Sequence, residues 1–166
     1  MRRPLILVAL AALLLLAVIA PAMADRDFDF VAQMSPNQEV AHVNAPDAAG
    51  QAKFSVEGNV LSYTVTVRGL TGPATQAHIH GPADRGVNAG ISIWLCGTAA
   101  LPGPAGTPTC SSTTDGVLVE GSVAVTTEQL AMIDAGLAYA NVHTTLHPPG
   151  EVRGQLRTPE RADSST

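Results

Sequence analysis

Lysine is all but missing: Lys53 is the only one in 166 residues. Nine basic residues stand against fourteen acidic ones, and the formal net charge is −5. With no basic stripe, nucleic acid is excluded as a partner. Aromatic residues make up only 4% of the chain. The core must therefore be built from Val, Leu, Ile and Ala, with Phe54, Tyr63 and Trp94 as its large pieces. There are two cysteines, Cys96 and Cys110, and their spacing is too long for a C-x-x-C metal site. No serine sits in an elbow motif, and no Ser-His-Asp arrangement follows from spacing, so nucleophilic hydrolysis finds no support. No internal repeat is visible.

Long apolar runs are also missing, with one exception at the N-terminus. Leu5 to Ala20 is apolar throughout, Arg2-Arg3 precede it, and Ala22-Met23-Ala24 form an A-x-A site ahead of Asp25. This is the anatomy of a secretory signal peptide over residues 1–24. The run is short for a membrane anchor, no basic stop-transfer cluster follows, and no cysteine at the cleavage site offers a lipid attachment point. The expected product is secreted or periplasmic, with no stable membrane anchor after cleavage. Loss of Arg2 and Arg3 takes the formal net charge from −5 to −7. Residues 25–158 suffice for one domain with its own core, and 159–166 read as a disordered polar tail. In an exported chain Cys96 and Cys110 are expected to form a disulfide. The segment between them, "GTAALPGPAGTPT", has little to order it otherwise.

What is present is β pattern. "QAKFSVEGN" alternates, with Ala52, Phe54 and Val56 on one face. "LSYTVTVRGL" alternates again, with Leu61, Tyr63, Val65 and Val67 inward. Gly58-Asn59 between them signals a hairpin. "FDFVAQM", "ATQAHIH", "ISIWLC", "VLVEGSVAV" (bent at Gly121), "AYANVHT" and "EVRGQLR" supply six further strands. "TTEQLAMIDAG" breaks the pattern. Thr126 with Gln129 three residues on makes a capping box, Leu130 and Ile133 an apolar face, and Gly136 a stop. About eight strands and one short helix predict an all-β, antiparallel, Greek-key-like sandwich.

Three blocks, "AHIHGPA", "AYANVHT" and "HPPGEVRGQL", together with "NQEV" ahead of a Gly-Gln-Ala strand, resemble the signature blocks of the CHRD domain, the family named after chordin. The resemblance runs from about Phe28 to Arg157. The sequence departs from it at "EVAHVN", where the family usually has prolines, and this leaves His42 outside any motif. The resemblance implies an extracellular β-rich domain. In chordin such domains accompany growth-factor-binding modules, and in bacteria they often stand alone in exported proteins. It implies no catalytic residues. The expected partner is a protein or extracellular-matrix component.

The histidines remain. On a strand, His78 and His80 share a face, with Ala77 and Ile79 on the other. An H-x-H pair can present two imidazoles to one ion, as the similar H-V-H block of copper-zinc superoxide dismutase does. His143 is a candidate third ligand, and His147, beside Pro148-Pro149, a weaker fourth. Three imidazoles with an open position suit one copper or zinc ion. The competing reading has these side chains hydrogen-bonding strand ends and loops together. Glu151 and Arg153 read as a structural ion pair, or as a pair that orients a ligating histidine. Two functions follow: an exported, non-catalytic binding or structural module with one mononuclear His site, or a metal-dependent redox enzyme related in fold to the dismutase. The dismutase reaction itself needs a dinuclear site with more histidines than the five present.

Overall fold

The structure is a computed structural model, and it describes residues 28–159. The expected signal peptide, residues 1–24, and residues 160–166 of the tail expected at 159–166 lie outside the described residues. Among the described residues there are eight strands, one α-helix and a single 3-10 turn at Pro36–Gln38: β1 Phe30–Met34, β2 Ala49–Glu57, β3 Val60–Arg68, β4 Ala74–His80, β5 Ile91–Cys96, β6 Gly116–Ala124, α1 Thr127–Asp134, β7 Tyr139–Thr144 and β8 Val152–Gln155. The strands form two four-stranded antiparallel sheets, ordered β1-β2-β3-β6 and β5-β4-β7-β8. This is the expected all-β sandwich.

The β2–β3 hairpin turns at Gly58, whose φ of 59° suits a residue without a Cβ. Of the predicted inward sets, Ala52 and Phe54 on β2 and Leu61, Tyr63, Val65 and Val67 on β3 are buried, while Val56 at the end of β2 is partly buried and packs against the core. They meet Ile79, Ile93, Leu95, Val142 and Val152 from the second sheet. α1 carries the predicted capping box, with the Thr126 side chain accepting from Gln129 N and the Gln129 side chain accepting from Thr126 N.

Two positions differ from expectation. The irregularity in β6 falls opposite Val65/Thr66, not at Gly121. Gly121 instead makes room for a tyrosine: a Cβ there would meet the Tyr63 hydroxyl at 2.7 Å. That hydroxyl donates across the sandwich to Leu95 O at 2.8 Å. Trp94 is also not a core residue. It projects from the outer face of β5, because the odd-numbered Ile93 and Leu95 take the inner one.

The sandwich is closed at one edge by bridges from β1 to the β8 segment, Val31 with Arg157 and Ser35 with Arg153. Gly154 allows this approach, since any Cβ there would run into the Gln33 backbone. At the other edge the Cys96–Cys110 disulfide pins the Gly/Pro-rich segment, and Gly97 bridges Thr109. The disulfide is consistent with an oxidising compartment. Among the described residues no helix is long and apolar enough to cross a membrane.

A candidate metal centre on the outer sheet face

The second sheet has both faces covered, and every residue of β7 is buried. Its inner face packs in the core. Its outer face lies under three loops: residues 35–48, residues 81–90 and the β7–β8 hairpin. Alternation on β4 sends Ala77 and Ile79 inward and His78 and His80 outward. The β4–β7 register sets His78 opposite Asn141, His80 opposite Tyr139 and Gln76 opposite His143. His143 is therefore the diagonal neighbour of His78, within reach of a long side chain.

The three imidazoles form one buried cluster. His78 is fully buried, and His80 and His143 are each 8% exposed. One nitrogen from each lies within 4.8 Å of the other two. His78 Nδ1 stands 3.1 Å from His143 Nε2.

Backbone carbonyls fix two of the rings. A carbonyl oxygen only accepts, so His80 Nδ1 donates to Ala89 O at 3.0 Å and His143 Nδ1 donates to Pro148 O at 2.9 Å. Both Nε2 atoms consequently carry lone pairs. His78 Nε2 and His80 Nε2 are buried with no hydrogen-bond partner. Burial holds all three rings neutral. It pushes His78 down to about 3, helped by the charges His143 and His80 would carry. Burial lowers His80 and His143 too, against hydrogen bonds to Ala89 and Pro148 that favour the protonated form.

Aromatic and polar neighbours hold the rings in place. Trp94, opposite His78 across β5, meets it edge-on with centroids 4.2 Å apart. Tyr139 stacks on His80 at 4.9 Å and an interplanar angle of 4°. Arg153 places its guanidinium carbon 3.4 Å from the Tyr139 ring centroid. The same guanidinium donates to Asn88 Oδ1 at 3.0 Å and Val87 O at 2.7 Å. Tyr139 OH accepts from Ala89 N at 3.1 Å. His80, Tyr139 and Arg153 thereby clamp the 84–90 loop over the cluster.

The expected Glu151–Arg153 pair is corrected. Glu151 is fully buried, and its carboxylate accepts from Thr71 N and Thr71 Oγ1 at 2.7 Å and from Thr144 Oγ1 at 2.5 Å. Arg153 turns to the 84–90 loop instead. Glu151 precedes β8, so strand alternation does not apply to it. Neither side chain hydrogen-bonds a cluster histidine. His147 is not brought to the cluster: it lines a neighbouring surface crevice of about 110 Å³ together with Glu39, exposed His42, Asn88 and Gly150.

Sequence reasoning missed Asn141, Tyr139 and Glu39 as neighbours of the site, and misplaced Trp94. Glu39 lies in the "NQEV" block, and Tyr139 and Asn141 in "AYANVHT". Those blocks were the available signal; the β4–β7 register was the missing information. Searches of curated proteins and of solved structures find no match. A family model, that of the CHRD domain, matches residues 30–156, nearly all of the described chain. The chain belongs to the CHRD domain family.

Proposed function

We propose that this domain is an exported, non-catalytic binding module that holds one copper or zinc ion on His78, His80 and His143. The observation that carries the reading is the convergence of three buried imidazoles, one nitrogen of each within 4.8 Å of the other two, with His78 Nδ1 turned to His143 Nε2 and His80 Nε2 buried without a partner. A buried polar atom without a partner needs an explanation. A purely structural role for the histidines explains the Nδ1 bonds of His80 and His143 and the His78 Nδ1–His143 Nε2 contact, but leaves the His80 Nε2 lone pair idle.

The spacing fits a metal. Nitrogens bonded at about 2.0 Å to one ion stand roughly 2.8–3.3 Å apart, from square-planar to tetrahedral angles. The 3.1 Å between His78 Nδ1 and His143 Nε2 falls in that range. Neutral imidazoles are the binding form, and burial keeps them neutral. The carbonyls of Ala89 and Pro148 orient their rings from behind, as outer hydrogen bonds do for ligating histidines. Residues 1–24 act as the export signal in this reading, so the functional chain starts at Asp25.

One sample of exported protein tests both parts. Intact mass should show the loss of residues 1–24. Titration with Cu²⁺ should quench Trp94, the sole tryptophan, with an endpoint at one ion per chain, because its ring lies against His78. Metal without redox turnover supports the module. Turnover with one-electron donors supports the rival reading, an enzyme related in fold to copper-zinc superoxide dismutase. An endpoint well below one ion per chain sinks both.

A further inference from the structure

Four buried side-chain atoms have no hydrogen-bond partner among the described residues: His78 Nε2, His80 Nε2, Glu39 Oε1 and Asn141 Oδ1. The first two belong to the rings of the histidine cluster. The other two lie together beside it. Gly150 leaves space for both, since a Cβ there would meet Asn141 Oδ1 at 2.6 Å and Glu39 Oε1 at 2.7 Å. Next to them Asn141 Nδ2 donates to Glu39 Oε2 at 3.5 Å. A carboxyl group and a primary amide thus lie side by side. One weak bond is made between them, and two oxygen lone-pair sites are left over. Two acceptors in a buried site repel unless a hydrogen stands between them.

We propose that Glu39 is protonated on Oε1 and donates to Asn141 Oδ1, closing a two-bond acid–amide pair that latches the 35–48 segment onto β7 beside the histidine cluster. Glu39 is then a positioning residue acting through Asn141, which stands opposite His78 in the β4–β7 register. That positioning role rests on the metal reading; the shared proton does not.

The surroundings favour the proton. Burial pushes the Glu39 carboxyl up to about 7, although Arg153 and the Asn141 hydrogen bond pull the other way. Arg153 reaches it from β8 through its charge alone, because its N–H groups go to Val87 O and Asn88 Oδ1. His42, from the same segment as Glu39, and His147, from the β7–β8 hairpin, line the crevice that Glu39 also lines. β7 itself presents the uncharged Asn141. When Glu39 ionises, one bond of the pair is lost and two oxygens oppose each other. The latch then loosens and the crevice becomes a route to the cluster. Metal loading should accelerate as pH rises through the Glu39 pKa.

Two measurements decide it. Infrared spectra of the metal-free protein should show the carbonyl stretch of a buried, protonated carboxyl at about pH 6, lost by about pH 8 and absent from Glu39→Gln. The rate of Cu²⁺ loading, followed by Trp94 quenching, should rise several-fold over the same range in the wild type. Glu39→Gln, whose amide makes both bonds at any pH, should load slowly at both values; Glu39→Ala should load fast at both. If the wild type lacks the band at about pH 6, the shared proton is overturned, whatever the metal does. Equal pH ratios in all three proteins overturn the positioning role. If the wild type binds no Cu²⁺ at all, the metal reading fails along with that role, and the infrared result still decides the pair.

Discussion

His143 Nε2 faces His78 Nδ1 at 3.1 Å across the β4–β7 pair, although 65 residues separate the two in sequence. The contact is diagonal, from a register that sets His143 opposite Gln76 and His78 opposite Asn141. Strand alternation and antiparallel pairing thus bring imidazoles from two motifs to one buried point. If they hold one ion, removing any one of the three should be costly. His143→Ala and His80→Ala should each weaken Cu²⁺ or Zn²⁺ binding by roughly a hundredfold, since loss of even an outer hydrogen-bond partner costs about 10–100-fold. His42→Ala should bind like the wild type, because His42 is exposed and outside the cluster. Titration calorimetry on the four proteins checks this. Wild-type affinity in His143→Ala would mean that the two motifs do not share a metal.

Gly154 should be intolerant of a side chain. A Cβ there meets Gln33 backbone atoms, its carbonyl carbon at 2.7 Å, and these cannot rotate away as a flexible side chain could. The edge where β1 meets β8 would have to open, carrying Ser35 away from Arg153. Gly154→Ala should cost about 1–3 kcal/mol or more, the usual range for overpacking. Gly58→Ala, with open space around it, should cost less, from its positive φ alone. Urea denaturation of the two variants gives the comparison, and equal midpoints would contradict it.

The disulfide joins cysteines separated by 14 positions in sequence. Leu101 and much of the segment around it are exposed, so little core holds it. The chain-entropy account gives about 3 kcal/mol for a loop of this length, and Cys96→Ser with Cys110→Ser should lower stability by about 2–4 kcal/mol. Native protein should show no free thiol. Stoichiometric labelling of unreduced protein would overturn the assignment.

The sandwich was legible because its strands alternate so regularly. The period of two placed Ala77 and Ile79 in the core and His78 and His80 opposite, and it was right for Phe54 and Tyr63. It failed where the residue lay outside the strand or where the second face was also covered. Glu151 sits before β8, so its side chain follows the turn to Thr71 and Thr144. Trp94 looked like core because it is the largest apolar side chain available, yet its parity on β5 puts it with the histidines. Buried residues on an outer face need loops above them, and loop packing has no period. Glu39 and Asn141 meet over 102 residues of sequence, a contact that only the folded register creates.

The pH dependence of stability should show two opposed contributions. The folded-state pKa of His78 is depressed from 6.5 to about 3, so between those values the unfolded chain binds a proton that the folded chain refuses. Stability contributed by the neutral ring is therefore present above pH 6.5 and lost as pH falls toward 3, with a slope of about 1.4 kcal/mol per pH unit for one such group. His80 and His143, also lowered, add in the same direction. Glu39 works against them. Its folded-state pKa is raised from 4.5 to about 7, so its contribution is present below 4.5 and lost as pH rises through 7. Between pH 6.5 and 4.5 His78 and Glu39 oppose each other with equal slopes, so the metal-free protein should lose stability there only through His80 and His143, and more steeply below pH 4.5, where His78 is no longer opposed. Glu39→Gln removes the opposing group. It should steepen the profile between pH 4.5 and 7 and leave the variant more stable than the wild type above pH 7, provided its amide keeps both bonds to Asn141. Denaturant midpoints across this range measure both effects. A flat Glu39→Gln profile below pH 6.5, with the opposing group removed, would show that the buried histidines are not held neutral, and with that the case for a preformed metal centre would fall.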